Sequence, residues 1–267
     1  MPLQLSSTFY SALAEAGRPL AGMWVCSSSP LVAEICAGSG LDWLLIDAEH
    51  SPNGLESILA QLHAVSGYPL QVMVRPPVNG TVVIKQYLDL GVQNLLIPMV
   101  NSAFEAAAAV AAVRYPPHGV RGVGSALARA SRWNRIPDYL ATASESISLT
   151  VQIESEAAAS AVEEILAVDG VDGIFLGPSD LAASMGLLGQ QENPLVRAVV
   201  EHCLEAAKAA GKPAGVNAFN ESTARAYLDA GASFVLVGAD VAVLARESER
   251  FAKTFIPTPE VVERDSY

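Results

Sequence analysis

The chain has 267 residues, 51% of them hydrophobic and 16% charged, enough apolar material for one large domain or two small ones with a sizeable core. Its formal charge of −12 argues against nucleic acid or an anionic membrane surface as partner, while leaving an anionic small molecule open to local arginines. No apolar stretch nears the ~20 uncharged residues of a membrane span.

The opening segment MPLQLSSTFYSALAEAG has neither a basic start nor a cleavage-site pattern, so no signal peptide is expected. Cys26, Cys36 and Cys203 are scattered and odd in number, which points to free thiols in a reducing cytoplasm rather than a disulfide framework. After a first helix near Ser6–Glu15, short β-rich apolar runs predict strands at Ala21–Cys26, Trp43–Asp47, Gln71–Arg75 and Asn94–Met99. Four more follow at Thr150–Glu154, Gly173–Gly177, Ala214–Ala218 and Phe234–Gly238. Helical periodicity falls between them at Leu31–Ala37, Gly54–Val65, Val82–Leu90, Glu105–Arg114, Glu156–Val168, Leu195–Ala210 and Glu221–Ala230.

Eight strands alternating with helices predict an α/β fold of the (β/α)8 TIM-barrel type, spanning 1–267 as one domain. An open doubly wound sheet would call for a G-x-G-x-x-G turn after the first strand, and none is there. A last helix over 241–256 precedes a tail at 257–267 without periodicity. One connection is too long: the run from Arg114 to the fifth strand carries Arg121, Arg129, Arg132 and Arg135. Such a loop either lies as a salt-bridged surface excursion or covers the barrel mouth or a neighbouring subunit, offering cations to an anionic ligand.

A barrel of this kind carries its chemistry at the carboxyl ends of its strands. There the sequence concentrates polar groups: Trp24, Asp47, Glu49, His50, Arg75, Gln152, Glu154, Ser179, Asp180 and Asn217. The strand interiors read as almost wholly apolar. Glu154 and Asp180 end two runs one strand–helix–strand crossover apart, so both emerge at one sheet edge. They either hold a hard divalent cation between them or simply cap the helices that follow. His50, three residues past Asp47, is a candidate base. Arg75 closes an apolar run with a planar fork suited to a carboxylate or enolate. Lys85, Lys208 and Lys253 fall in helices and Lys212 precedes the seventh strand, so no lysine is placed for a Schiff base.

Several long motifs, LLIDAEHSPN (44–53), VRPP (74–77), LLIPMV (95–100), VQIE (151–154) and GVDGIFLGPSDLAASMG (170–186), closely resemble the HpcH/HpaI aldolase family. So does RYPPHGVRGVGSALARASRWNRIPDYL (114–140). The resemblance covers about residues 5–255. It implies a class II pyruvate aldolase that uses Mg2+, Mn2+ or Co2+ and neither PLP nor a lysine imine. It also implies a hexamer that exchanges its terminal helix between subunits.

The implied reaction is reversible cleavage of a 4-hydroxy-2-oxo acid, such as 4-hydroxy-2-oxoheptanedioate in aromatic catabolism, to pyruvate and an aldehyde. By motif position Glu154 and Asp180 match the metal ligands, His50 the base and Arg75 the residue steadying the enolate. Gln152 and Ser179 match substrate contacts and Asp47 a nearby acid, while Trp24 and Asn217 stand at the substrate pocket. The residue raising the basicity of the histidine falls at Asp89, whose place towards the rear of its own barrel suggests action across a subunit interface. Asn217 departs from the apolar residue common in the family, which bears on aldehyde preference. Two other activities share the carboxylates: a CoA-ester lyase of the citrate-lyase-beta or malyl-CoA type, and a keto-acid-binding barrel without catalysis.

Overall fold

The computed structural model describes residues 4–257, so the expected tail lies outside it from residue 258 onward. Eight parallel strands close in sequence order into a barrel: β1 (Leu20–Val25), β2 (Trp43–Asp47), β3 (Gln71–Arg75), β4 (Asn94–Ile97), β5 (Ser148–Ile153), β6 (Gly173–Leu176), β7 (Ala214–Asn217) and β8 (Phe234–Ala239). A helix α1 (Phe9–Ala16) precedes the barrel. Around it run α2 (Pro30–Ala37), α3 (Leu55–Ala64), α4 (Thr81–Asp89), α5 (Ala103–Val113), α6 (Tyr139–Thr142), α7 (Glu156–Ser160) and α8 (Val162–Leu166). The ring continues with α9 (Pro178–Ser184), α10 (Pro194–Ala209), α11 (Glu221–Asp229) and α12 (Asp240–Phe255). The expected helix Glu156–Val168 is in fact two, because Ala161 leaves the helical region at φ −106° and ψ 15°.

Strand alternation explains both cores. Leu44, Ile46, Val74, Leu149, Val151, Ile153, Ile174 and Leu176 point outward into the layer beneath the helices. Trp43, Leu45, Met73, Leu96, Phe175 and Phe234 point inward and fill the barrel. Phe9 plugs its rear, edge-on to Trp43 and Phe234 with ring centroids 5.2 and 5.0 Å apart. Glycine makes room for these rings: a Cβ on Gly22 would lie 2.6 Å from the Trp43 indole, and one on Gly215 2.1 Å from Phe234. Truncating the fully buried Phe9 to Ala would cost about 3–5 kcal/mol.

The interior is not wholly apolar at the rear. Asn94 Oδ1 accepts from the Phe9 N–H at 2.8 Å, and the Tyr10 hydroxyl lies 2.7 Å from Thr150 Oγ1. These bonds tie α1 across the strand starts and satisfy the polar groups that it buries.

The long connection folds against the rear, not over its own mouth. It winds through short turns at Ser125–Leu127 and Arg129–Ser131, then through α6. Arg129 Nη1 donates to the Leu90 carbonyl at 2.8 Å, just past the end of α4. Arg121 is fully buried there, its guanidinium 4.6 Å over the Tyr115 ring. None of the four arginines lines the mouth cavity.

Candidate active site

The inward parity of each strand runs up to the mouth and changes there from hydrocarbon to polar. On β2 the series Trp43, Leu45 ends in Asp47, and on β3 Met73 is followed by Arg75. Parallel register sets Asp47 beside Arg75. On β5 the same parity continues past Gln152 to Glu154. All four side chains are buried.

Asp47 organises the turn that follows β2. Its Oδ1 accepts from the Glu49 N–H at 3.0 Å and its Oδ2 from the His50 N–H at 3.2 Å. Its carbonyl accepts from the Ser51 hydroxyl and, at 2.6 Å, from Asn53 Nδ2. These bonds wind DAEHSPN into a compact turn and hold the backbone of His50 at the rim. The His50 ring itself is 65% exposed.

Arg75 is held from three sides. Its Nε donates to Asp47 Oδ1 at 2.7 Å, its Nη1 lies 2.9 Å from Glu49 Oε2, and its guanidinium sits 4.3 Å over the Trp24 ring. Nη1 also reaches Gln152 Oε1 at 3.4 Å. Its Nη2 makes no hydrogen bond to any described residue, and Arg75 is among the residues that line the mouth cavity. Trp24 is fixed in turn, its Nε1 donating to Asn217 Oδ1 at 2.9 Å.

Glu154 does not cap the next helix. Ser155 does, accepting from the Ala158 N–H at 3.0 Å. Glu154 Oε1 instead accepts from the Met99 N–H at 2.7 Å, and Oε2 accepts from Gln152 Nε2. Met99 adopts φ +53°, a strained setting for a side-chain-bearing residue, to deliver that N–H. Asp180 stands exposed in the first turn of α9, beside Ser179.

Burial, then the Glu49 and Asp180 carboxylates, pushes the Glu154 carboxyl up to about 7, against the opposing pull of the Met99 N–H and Arg75. Glu49 is also raised, first by burial, and its Oε2 is buried without a hydrogen bond: Arg75 Nη1 is near but off the bonding direction. Sequence reasoning placed Glu49 at the rim and gave it no role; the signal was its alternation with Asp47, which turns both acids to one side of the turn.

A cation meets these residues well. The donors are hard carboxylate oxygens, burial and the neighbouring acids raise the Glu154 carboxyl, and Glu49 Oε2 beside them is orphaned. Among the described residues no group of three or more His, Cys, Asp or Glu is placed to hold a metal ion.

One cavity of about 510 Å3 unites the site. Trp24, Asp47, His50, Arg75, Gln152, Ser179, Asp180 and Asn217 line it together. Glu154 and Asp89 are not among them: Glu154 lies buried beside the lining residue Gln152, and Asp89 ends α4 at the rear, 3.4 Å from Arg121 Nη2. Lys212 is also at the rear, its Nζ donating to the Leu166 carbonyl at 2.6 Å.

Known proteins show the same pattern. The profile of the HpcH/HpaI aldolase/citrate lyase family matches residues 20–246. A hydroxypyruvate/pyruvate aldolase of Deinococcus radiodurans is 54% identical over 251 residues, covering 94% of this chain and 90% of that protein. A 4-hydroxy-2-oxo-heptane-1,7-dioate aldolase of Salmonella dublin is 52% identical, covering 94% and 95%. The crystal structure of an HpcH/HpaI aldolase/citrate lyase family protein from Burkholderia cenocepacia superposes with a TM-score of 0.87 at 37% identity, covering 91% of this chain and 97% of that one. With the barrel, its mouth and these relatives in agreement, the chain belongs to the HpcH/HpaI aldolase/citrate lyase family and is a lyase of the aldolase type.

Proposed function

We propose that this aldolase reversibly cleaves 4-hydroxy-2-oxo acids, such as 4-hydroxy-2-oxoheptanedioate, to pyruvate and an aldehyde with the help of a divalent cation. The observation that carries the reading is Arg75. A guanidinium locked by Asp47 and Trp24 keeps its Nη2 free of hydrogen bonds to any described residue and lines a cavity together with Asp180 and with Gln152, whose amide donates to the buried Glu154. Glu154 and Asp180 would hold Mg2+, Mn2+ or Co2+. Bound there, the ion supplies Lewis-acid polarisation of the keto acid.

The residues then divide the work. Arg75 Nη2 donates to the keto oxygen and strengthens that bond as charge develops there in the enolate. In cleavage His50 takes the 4-hydroxyl proton, the C3–C4 bond breaks, and the electron pair passes into the pyruvate enolate. Protonation of the enolate at C3 gives pyruvate. In synthesis His50 removes a methyl proton instead. Asp47 is a positioning residue: both of its oxygens are engaged by Arg75 and by backbone N–H groups. Gln152 orients Glu154, and Ser179 meets the carboxylate end of the keto acid. Asp89, remote from its own cavity, serves a neighbouring subunit.

The last point requires an oligomer, and α12 supports one. Past Asp240 the helix leaves the barrel, with Leu244 65% and Phe255 77% exposed. An exchanged α12 in a hexamer would cover those side chains. The chain is read as one barrel domain working in the cytoplasm; among the described residues no helix is long and apolar enough to cross a membrane.

The test is NMR of pyruvate in deuterated buffer. The methyl signal is expected to exchange with Mn2+ or Mg2+ present and to stay unchanged in chelator. Exchange at full rate without cations, or none with them, overturns the reading; the second outcome also marks a barrel that binds keto acids without catalysis.

A further inference from the structure

The clamp on Glu154 reaches further than the two bonds described above. Met99, two residues past the end of β4, donates its N–H to Glu154 Oε1 at 2.7 Å, and does so at φ +53°. A side-chain-bearing residue seldom adopts that left-handed setting, and it persists only where its neighbours hold it. The neighbour here is Asn101. Its Nδ2 donates to the Met99 carbonyl at 3.1 Å, so the peptide groups on both sides of Met99 are anchored, one by Glu154 and the other by Asn101.

Asn101 is itself fixed from two further directions. Its backbone N–H donates to Glu105 Oε2 at 2.6 Å, in the first turn of α5, and its Oδ1 accepts from the Ser155 hydroxyl. The Met99 carbonyl can only accept, so the amide turns its nitrogen there and its oxygen to Ser155. Ser155 is also the cap of α7 and follows Glu154 directly in the chain. The circuit therefore closes: Glu154 to Met99, Met99 to Asn101, Asn101 to Ser155, and Ser155 back to Glu154 through the main chain. With Gln152 Nε2 on the other oxygen, the carboxylate is fixed and keeps acceptor capacity to spare for a cation. Asn101 is not among the residues that line the mouth cavity, so any influence it has on the site passes through this circuit.

We propose that Asn101 is a positioning residue for the cation: by holding Met99 in its left-handed turn it aims the Met99 N–H at Glu154, and so sets how tightly that carboxylate binds a divalent ion. This rests on the cation reading above and adds to it a residue of the β4 turn. Outer partners of this sort are worth about 10–100-fold in metal affinity. A glycine at position 99 bypasses Asn101, because glycine takes φ > 0 unaided and keeps the N–H.

The experiment titrates the full chain, stripped of cations, with Mn2+ and follows the free ion by electron paramagnetic resonance. Wild type is compared with Asn101→Ala and with the double variant Asn101→Ala, Met99→Gly. Asn101→Ala is expected to weaken Mn2+ binding about tenfold, and the double variant to return to within about threefold of wild type. Unchanged affinity in Asn101→Ala, or a loss that Met99→Gly does not restore, overturns the proposal; a general loosening of the fold would not be repaired by a more flexible residue. A second measurement needs only the wild type. The Met99 amide proton, followed by NMR, should exchange with deuterated water at least about tenfold more slowly than an unprotected amide, and unprotected exchange overturns the proposal. Glu154→Gln separates the two levels. If wild type binds no Mn2+, or Glu154→Gln binds it as tightly as wild type, the cation reading falls and this proposal with it. If Glu154→Gln weakens binding and Asn101→Ala does not, only the assignment of Asn101 falls.

Discussion

Two buried arginines sit at opposite ends of this barrel, and their surroundings differ in kind. Arg75, at the mouth, has two carboxylates within 2.9 Å and an indole beneath it. Arg121, at the rear, has a tyrosine hydroxyl at 3.2 Å, a single carboxylate at 3.4 Å, and two guanidinium nitrogens with no hydrogen bond. The first is a charge held in place with one edge left for a ligand. The second is a charge packed among aromatic rings. Burial alone therefore says little about function; what separates the two is which donors are held and which are left facing a cavity.

The largest effect should come from the carboxylates proposed to hold the cation. Replacing Glu154 or Asp180 by Ala is expected to lower pyruvate release by about 10³-fold or more, since the proposed cation is lost. Circular dichroism should show the barrel intact, because these substitutions relieve repulsion and bury nothing new. Turnover within tenfold of wild type would remove either residue from the site. Next comes Arg75→Lys, where kcat should drop about 10²–10³-fold because an ammonium cannot reproduce the fork between Asp47 and the keto oxygen.

The same contrast has a stability form. Arg75→Met leaves Asp47 and Glu49 buried without their partner and should cost about 3–5 kcal/mol in urea unfolding. Glu154 supplies a pH test. Its folded value near 7 lies above the ordinary 4.5, so the folded chain holds a proton that the unfolded chain gives up across that window. The contribution of Glu154 to stability in chelator is therefore fully present below about pH 4.5, falls by about 3 kcal/mol as pH rises to 7, and levels off above. Glu154→Gln should flatten that slope, and added Mg2+ should stabilise more at pH 8 than at pH 5. The smallest effect is expected at the rear: Arg121→Met should change unfolding free energy by no more than about 1 kcal/mol, of either sign. A cost as large as that of Arg75→Met would erase the distinction.

Much of this was legible in the residues. β2 and β3 run as expected from Trp43 to Asp47 and from Gln71 to Arg75, because an apolar run closed by a charged side chain marks a buried strand reaching its mouth. The rim residues follow from the same parity, which is why Arg75, Gln152 and Asn217 share one cavity. The rest depends on contacts far apart in the chain. No local pattern tells that Asn217 meets Trp24, 193 residues away, or that Asn94 anchors Phe9 from inside a strand. Arg121 looked like a cation on offer because a sequence does not show the two tyrosines that enclose it. Asp89 was named only through resemblance, and its own barrel leaves it at the rear.

Asp240 stands at the root of α12, yet its buried carboxylate accepts from the Cys26 and Ser27 N–H groups at 2.8 and 3.1 Å, where β1 gives way to the mouth. One side chain thus pins the loop behind Trp24 to the joint from which the terminal helix departs. A shortened chain that stopped before this joint would lose more than a helix: two main-chain donors beside the pocket would be stranded, and damage at the far end of the polypeptide would be felt where the substrate lies.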